Sequence, residues 1–479
     1  MSNSASHLLG IDEGTTGVRA VVTDPSGTIQ AQAYAKIPAV YPQPGWVEHH
    51  GETLWQTTRA VIERALGLAG LEAADIAAIG IANQRGSAVA FDPRGHPVGP
   101  VIGWQDQRTS ARCVELFDEG LFVIPNTAAS KYEWLLQNHA RGRRDIRLGT
   151  VDAYLACRLS AGSVFASDHS NYSVSGLYDL FAGTVDLKTA AVLGIEPGNL
   201  PALVDTSGVI GETDRTAFGA CVPIAALAGD QHAAMYAQAA HAKNAIELEL
   251  GTSGMVKRNE GKALGESPAG SYPLVLWSFD GERTFCVESP VLTAGAAAAW
   301  LCEGLGIISD VTKLESLARS VSNSDGVWVV PAFAGLGGPH LELGARGMIG
   351  GLSRGSTHAH IARATLEGIA ARCGEAALAL AEGPLDRLRV AGGAAKNGLL
   401  LQMLADVTGA VVERPRVLDR AGIGAALLAG RGLGLVTDAQ VAASWEPYRS
   451  FEPIISADER GARQEVWSRR IALVRSAVG

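Results

Sequence analysis

The sequence predicts an α/β protein of two domains, and three observations carry that reading. Its 479 residues exceed what one hydrophobic core supports, which sets the expectation of two domains of roughly 200 to 250 residues each. Short apolar strands alternate with amphipathic helices along the chain, the pattern of sheets covered by helices. One device, an apolar strand, a Gly/Thr turn and a second strand, occurs twice in the chain, once near the start and again after the midpoint.

The first copy opens the chain. His7-Leu8-Leu9-Gly10-Ile11 is an apolar run, Gly14-Thr15-Thr16 a turn, residues 18–23 a second strand, and Asp24-Pro25-Ser26-Gly27 turns into a third. Residues 52–67 have helical periodicity, and residues 77–82 read as a buried strand. Residues 231–242 read as a helix, and the domain boundary is placed at its end, giving domains 1–241 and 242–479. The second copy runs through the alternating residues 245–250, the turn Gly251-Thr252-Ser253-Gly254, and Met255-Val256-Lys257. Val327-Trp328-Val329-Val330 reads as a strand, residues 331–338 as a Gly/Pro-rich loop, and residues 358–381 as a long helix. On that helix Leu366, Ile369, Ala370, Cys373, Ala377 and Leu380 form a core-facing stripe. A third glycine cluster, Gly392-Gly393-Ala394-Ala395-Lys396-Asn397, follows a short strand and opens another helix.

Composition excludes several classes. With 47% hydrophobic and 19% charged residues the chain is a globular one. A net charge of −9 argues against a nucleic-acid surface, and the richest basic run, residues 141–144, reads as a solvated helix end. The six cysteines lack any C-x-x-C pair, which fits free thiols packed in a reducing compartment. The N-terminus carries no secretory pattern, and the apolar stretches 292–301 and 421–430 are too short to span a bilayer. A cytoplasmic location without membrane partners is expected. His358-Ala359-His360 and His49-His50 lack ligand spacing, which argues against a bound transition metal.

Backbone amides at a tight Gly/Thr turn point into one concavity and hold phosphate oxygens without a cationic side chain. Gly14-Thr15-Thr16 and Gly251-Thr252-Ser253 suit that role, since glycine permits close approach and hydroxyls add donors. Either turn alone reads as a plain hairpin; the pair is the signal. Asp12 offers a carboxylate where the shell of a magnesium ion is needed, through water. The third cluster is open to a phosphate, a flat nucleoside or a close helix packing site.

These devices in this order resemble the actin-like ATPase superfamily, and further motifs are similar to the FGGY carbohydrate kinases, in particular the glycerol kinases among them. The stretch Gly347-Met348-Ile349-Gly350-Gly351-Leu352, then seven residues, then His360-Ile361-Ala362-Arg363-Ala364-Thr365-Leu366-Glu367 fits the family's C-terminal signature. Lys131-Tyr132-Glu133-Trp134-Leu135-Leu136-Gln137-Asn138 fits the N-terminal one. Residues 41–49, Asn83-Gln84-Arg85, Trp104-Gln105, Gly229-Asp230-Gln231 and residues 330–337 carry the same likeness. The resemblance implies two actin-like (ribonuclease H-like) domains, with ATP and a small polyol or sugar in a cleft between them. It implies Asp230 as the base that accepts the hydroxyl proton, with Arg85, Trp104 and Gln231 on the polyol. Thr16 and Arg19 would face the transferred phosphate, beside Thr15. Gly251, Thr252, Gly295, Gly393 and Asn397 would line the nucleotide side. ATP is then the co-substrate, magnesium the cofactor, and a homo-oligomer, dimer or tetramer, the expected assembly.

The chain departs from the glycerol kinase pattern at named positions. Glu13 stands where a Gln is usual, Gly86 where a Glu binds glycerol, Asn126 and Met255 where aromatics do, and His340-Leu341 replaces a Tyr-Trp pair. The losses at 86, 126 and 255 remove contacts that clamp a triol, and loss of a carboxylate and an aromatic ring is expected to open volume, so a substrate larger than glycerol, a tetritol, pentitol or short ketose, is expected. Glycerol itself and a pentulose such as xylulose remain alternatives. The rival of another class is an actin-like or chaperone-like ATPase, and the Asn-Gln-Arg, Trp-Gln and Gly-Asp-Gln set, which has no evident duty there, argues against it.

Overall fold

The computed structural model describes residues 6–478. It resolves into two compact units, the first made of Met1–Ala239, Leu274–Thr284 and Arg420–Trp445, the second of Ala240–Pro273, Phe285–Asp419 and Glu446–Gly479. Both are α/β. The sequence reading treats each domain as one continuous stretch divided at 241; in the structure, residues 274–284 and 420–445 return to the first unit.

The first unit is built on strands β1 (His7–Gly14), β2 (Gly17–Thr23) and β3 (Ile29–Lys36), helix α1 (Gly51–Ala69), strand β4 (Ile76–Asn83), helix α2 (Ala129–Asn138), strands β5 (Ser207–Glu212) and β6 (Pro223–Gly229), and helix α3 (Asp230–Ala237). The helix expected to reach 242 ends earlier, since Ala239 adopts a left-handed φ of 53°, which stops helical propagation. The sheet order is β5-β6-β4-β1-β2-β3, with β1 and β6 parallel to β4 and β2 antiparallel to β1. One face of β1 buries Leu9 and Ile11 in an apolar core with Leu54, Trp55, Ile79 and Leu227. The other face presents Gly10, paired in register with Gly80 of β4. Here the helix Ala421–Gly432 lies backbone against backbone: a Cβ at Gly10 would collide with the Gly422 carbonyl oxygen, one at Gly80 with that of Ala425, and one at Gly424 with that of Ala233. Arg420 donates to the Ala237 carbonyl at the end of α3. This glycine seam is the physical reason a segment so late in the chain belongs to the first unit.

The second unit contains strands β7 (Ile246–Leu250), β8 (Gly254–Gly261) and β9 (Glu282–Val291, from Phe285 on), helices α4 (Gly295–Glu303) and α5 (His358–Leu380), strand β10 (Arg387–Ala391), helix α6 (Gly398–Thr408), and strands β11 (Val411–Arg414) and β12 (Arg449–Phe451). Its strands run β9-β8-β7-β10-β11-β12. The stripe on α5 is buried as its periodicity predicts, Leu366, Ile369, Ala370, Cys373, Ala377 and Leu380 all joining the core with Leu248, Val256 and Leu401. In-register pairing also builds a row of alternating charge across five strands: Glu288, Lys257, Glu247, Arg389 and Glu413. Lys257 Nζ lies 2.7 Å from Glu247 Oε2, both side chains without solvent exposure. Burial disfavours the Lys257 charge, yet Glu247, Glu288 and Glu249 outweigh it and hold the ammonium above its ordinary range. Of the cysteines expected to pack, Cys113, Cys157, Cys286 and Cys373 are buried and Cys302 half-buried, but Cys221 is exposed. Among the described residues no helix is long and apolar enough to cross a membrane.

Candidate active site

In the first unit, parallel strands bring the predicted polar residues to one sheet end. Glu13 of β1 pairs with Asn83 of β4, and Asn83 pairs with Gly229 of β6. The residues that follow β4 and β6 therefore leave adjacent strands side by side at their C-terminal ends, where α/β sheets place ligands. Asp230 is the first residue of α3, and its Oδ1 accepts from the Gln231 amide at 2.8 Å. Arg85 Nε lies 3.8 Å from Asp230 Oδ1, and Arg85 Nη1 donates to His232 Nε2 at 3.1 Å. Gln231 Oε1 is buried without a hydrogen-bond partner among the described residues, which leaves an acceptor for a ligand hydroxyl.

A buried network stands behind Asp230. Ser170 Oγ accepts from the Gly229 amide at 3.1 Å. Ser170 belongs to a turn capped by Asp168, whose carboxylate accepts from the Ser170 and Asn171 amides, each at 2.9 Å, and from Thr206 Oγ1 at 2.7 Å. Burial pushes the Asp168 carboxyl up to about 7 against those donors. Neither Ser170 nor His232 stands out in the sequence, although His232 follows Asp230 at a two-residue spacing.

The first Gly/Thr turn is the two-residue tip Thr15-Thr16, closed by the pairing of Gly14 with Gly17. Thr16 is exposed and Thr15 half-buried. Thr15 Oγ1 accepts from Trp104 Nε1 at 2.9 Å, so the turn and the predicted polyol wall are directly bonded. Asp12 and Arg19 are register partners on one face of β1 and β2. Arg19 is engaged with β3, donating to Gln32 Oε1 at 3.2 Å and lying 5.2 Å from the Tyr34 ring centre.

Gly86 and Asn126 are brought together. Gly86 has φ +73°, and a Cβ on it would run into the Asn126 carbonyl oxygen. Asn126 Nδ2 donates to the Trp104 carbonyl at 3.3 Å. The missing side chain at 86 therefore does not open volume beside its Cα, as the composition of the pocket suggests; main chain fills it.

Glu13 shows no exposure, and both its carboxylate oxygens face Gln84 Nε2 at 3.2 Å. Burial pushes its carboxyl up to about 8, with the Gln84 bond opposing and the charge of Asp230 adding to the rise. A neutral carboxylic acid is close in shape and bonding to the Gln usual at this position. Because the folded-state value is the higher one, the folded protein keeps a proton that the unfolded chain loses above its ordinary carboxyl range. Stability from Glu13 is thus complete at acid pH and declines as pH rises toward about 8. Denaturant titrations at pH 5, 6, 7 and 8 are expected to show Glu13→Gln gaining on the wild type with pH. Since a tenfold difference in proton affinity is worth about 1.4 kcal/mol, the gain is on the order of a few kcal/mol. Parallel curves would show that Glu13 is ionised throughout.

In the second unit, the turn after β7 is closed by the Gly251 amide donating to the Ser253 carbonyl at 2.9 Å. The start of α4 docks on it: the Gly295 amide donates to the Gly251 carbonyl at 3.0 Å and the Ala296 amide to that of Thr252 at 2.9 Å. A Cβ at Gly295 would collide with the Gly251 carbonyl oxygen, so these three predicted residues form one cluster. Gly393 opens a short 3-10 turn next to Gly392, where a Cβ would collide with the Leu250 carbonyl oxygen at the end of β7. Asn397 caps α6, its Oδ1 accepting from the Leu400 amide at 3.0 Å. Met255, half-buried on β8, has the Tyr272 hydroxyl 4.0 Å from its sulfur, so a ring from outside the hairpin stands near the position where an aromatic was missing.

The model of the FGGY family of carbohydrate kinases, N-terminal domain, matches residues 7–237, and that of the C-terminal domain matches residues 247–433. A glycerol kinase of Bordetella parapertussis is 40% identical over 491 aligned residues, covering 97% of this chain and 96% of that one. A glycerol kinase of Solidesulfovibrio magneticus is 38% identical, with 98% of each chain covered. Among solved structures, Plasmodium falciparum glycerol kinase with ADP superposes with a TM-score of 0.90 at 23% identity, over 98% of both chains. Xylulose kinase from Rhodospirillum rubrum gives 0.86 at 23% identity, over 98% of this chain and 99% of that one.

Proposed function

Because the chain belongs to the FGGY family of carbohydrate kinases, we propose that it transfers the terminal phosphoryl group of ATP to a hydroxyl of a tetritol, pentitol or short ketose. The observation that carries the reading is the pairing of Asp230 with Arg85, 3.8 Å apart, beside Gln231 Oε1, which is buried with no hydrogen-bond partner among the described residues. Asp230 takes the proton of the attacking hydroxyl as the O–P bond forms and ADP leaves. Arg85 and Gln231 hold neighbouring hydroxyls, and Trp104, tied to Thr15, forms the wall. Amides and hydroxyls of the turns at 14–16 and 251–253 receive phosphate oxygens, with Arg19 near the first and Gly295, Gly393 and Asn397 on the nucleotide side.

Magnesium fits this set on its chemistry: the Asp12 carboxylate, 9% exposed and two residues before the first turn, is the hard oxygen donor such an ion takes. When bound, magnesium neutralises charge on the phosphates. The reading includes a reducing, cytoplasmic setting, which six free cysteines suit, and a homo-oligomeric assembly.

The substrate preference rests on contacts deleted rather than space gained, at Gly86, Asn126 and Met255. Glycerol is the second reading, favoured by the 40% identity to a glycerol kinase. Release of ADP is to be measured over glycerol, erythritol, ribitol, xylitol, D-xylulose and D-ribulose. The expected outcome is a kcat/KM for a four- or five-carbon compound above that for glycerol by about tenfold, the worth of one polar contact. Glycerol at the head of the ranking would overturn the preference and leave the kinase reading standing.

A further inference from the structure

Lys131 has no part in the chemistry above, yet it sits next to it. It lies on α2 with no solvent exposure, and its Nζ donates to the Gly86 carbonyl at 2.9 Å. Burial pulls it down to about 7, with Asp106 opposing and Arg108 adding to the fall. An amine so placed is costly to bury, so what it holds matters. Gly86 follows Arg85 directly and has the left-handed φ of +73° that only glycine adopts easily. Lys131 grips this residue through its carbonyl, while the Asn126 carbonyl oxygen closes the space beside its Cα. From there the bonds continue. Asn126 Nδ2 donates to the Trp104 carbonyl, the Trp104 amide donates to Ser87 Oγ at 3.1 Å, and Trp104 Nε1 donates to Thr15 Oγ1. One connected path therefore joins a buried amine, the turn that carries Arg85, the tryptophan wall and the first phosphate turn.

We propose that Lys131 is a positioning residue for the polyol, holding the Arg85-Gly86 turn through the Gly86 carbonyl in a conformation that leaves no room for a side chain at 86. The inference rests on the reading of Arg85 and Trp104 as polyol contacts. Two consequences distinguish it from a merely structural role. Loss of the clamp weakens polyol binding more than ATP binding, because Lys131 bonds the Arg85-Gly86 turn directly and reaches the first Gly/Thr turn only through Asn126 and Trp104. Restoring the carboxylate usual at position 86 does not create a glycerol enzyme, because its Cβ meets the Asn126 carbonyl and its backbone resists φ +73°.

The full chain and the variants Lys131→Met, Lys131→Gln and Gly86→Glu are to be assayed by ADP release with the six compounds above, and by thermal unfolding. For the best compound, Lys131→Met is expected to raise the polyol KM about tenfold or more with the ATP KM within about twofold. Lys131→Gln, which keeps a donor for the carbonyl, recovers most of that loss. Gly86→Glu loses activity on glycerol as on the rest. An unchanged polyol KM in Lys131→Met, equal rises in both KM values, or a gain on glycerol in Gly86→Glu would each overturn the proposal. If Lys131→Met does not fold, Lys131→Gln decides: a raised polyol KM with a wild-type ATP KM supports the proposal, and both KM values unchanged or raised together overturn it. A wild-type chain that phosphorylates none of the six compounds overturns the kinase reading and this inference with it, whereas wild-type turnover with indifferent variants overturns this inference alone.

Discussion

The Asp230→Asn variant is expected to lose roughly a hundred- to ten-thousandfold in kcat, the usual worth of a general base, with its ATP KM and unfolding midpoint near the wild-type values. The substitution is close to isosteric. An Asn side-chain oxygen can still accept from the Gln231 amide that now bonds Asp230 Oδ1 at 2.8 Å, so α3 keeps its start. What disappears is the basicity at the strand end and the charge that faces Arg85 at 3.8 Å. Single-turnover assays with saturating ATP separate the two effects: a slow chemical step with normal nucleotide binding is the expected signature. Turnover undiminished in this variant would sink the assignment of Asp230 as base.

Lys257→Met is expected to be the most destabilising single change, by about 3–5 kcal/mol, the range for breaking a buried ion pair from one side. Methionine nearly matches the volume of lysine, so packing is spared and the electrostatics are isolated. Glu247 and Glu288, both without exposure and paired in register with Lys257, would be left facing each other across the vacated charge. Urea unfolding of the single variant against the double Lys257→Met/Glu247→Leu checks this, because removing a carboxylate along with the lysine is expected to recover much of the loss. A single variant as stable as the wild type would mean that the row of charges contributes nothing to holding these strands.

Much of this architecture is legible in the residues. The Gly/Thr hairpins, the buried strand before Asn83 and the stripe on α5 follow from periodicity, which reports which face of an element meets a core. The Asp230 and Arg85 positions follow from family motifs, but their closeness does not: it comes from the parallel register that sets Asn83 beside Gly229, a pairing between residues far apart in the chain. Glu13 is visible as a departure from a family pattern, while its preference for a proton depends on surroundings that only the fold supplies. Gly86 is the clearest failure. A glycine in place of a carboxylate reads as an emptied pocket, and the structure fills the place with the main chain of Asn126. Cys221, grouped with packing residues by its type, is exposed, since a residue's class states a tendency and not a location.

The helix Ala421–Gly432 bears on how the chain becomes a protein during synthesis. Its residues emerge from the ribosome long after α3 is complete, yet theirs is the backbone that closes on Gly10 and Gly80 of β1 and β4. Until then the nascent first unit carries a bare, glycine-floored face on its central strands. A truncated chain ending at 241 would contain the whole matched N-terminal family domain, residues 7–237, and still lack one layer of its own fold. Such a fragment should need the separate peptide 420–445 to become compact, which makes the boundary drawn along the sequence a poor place to cut.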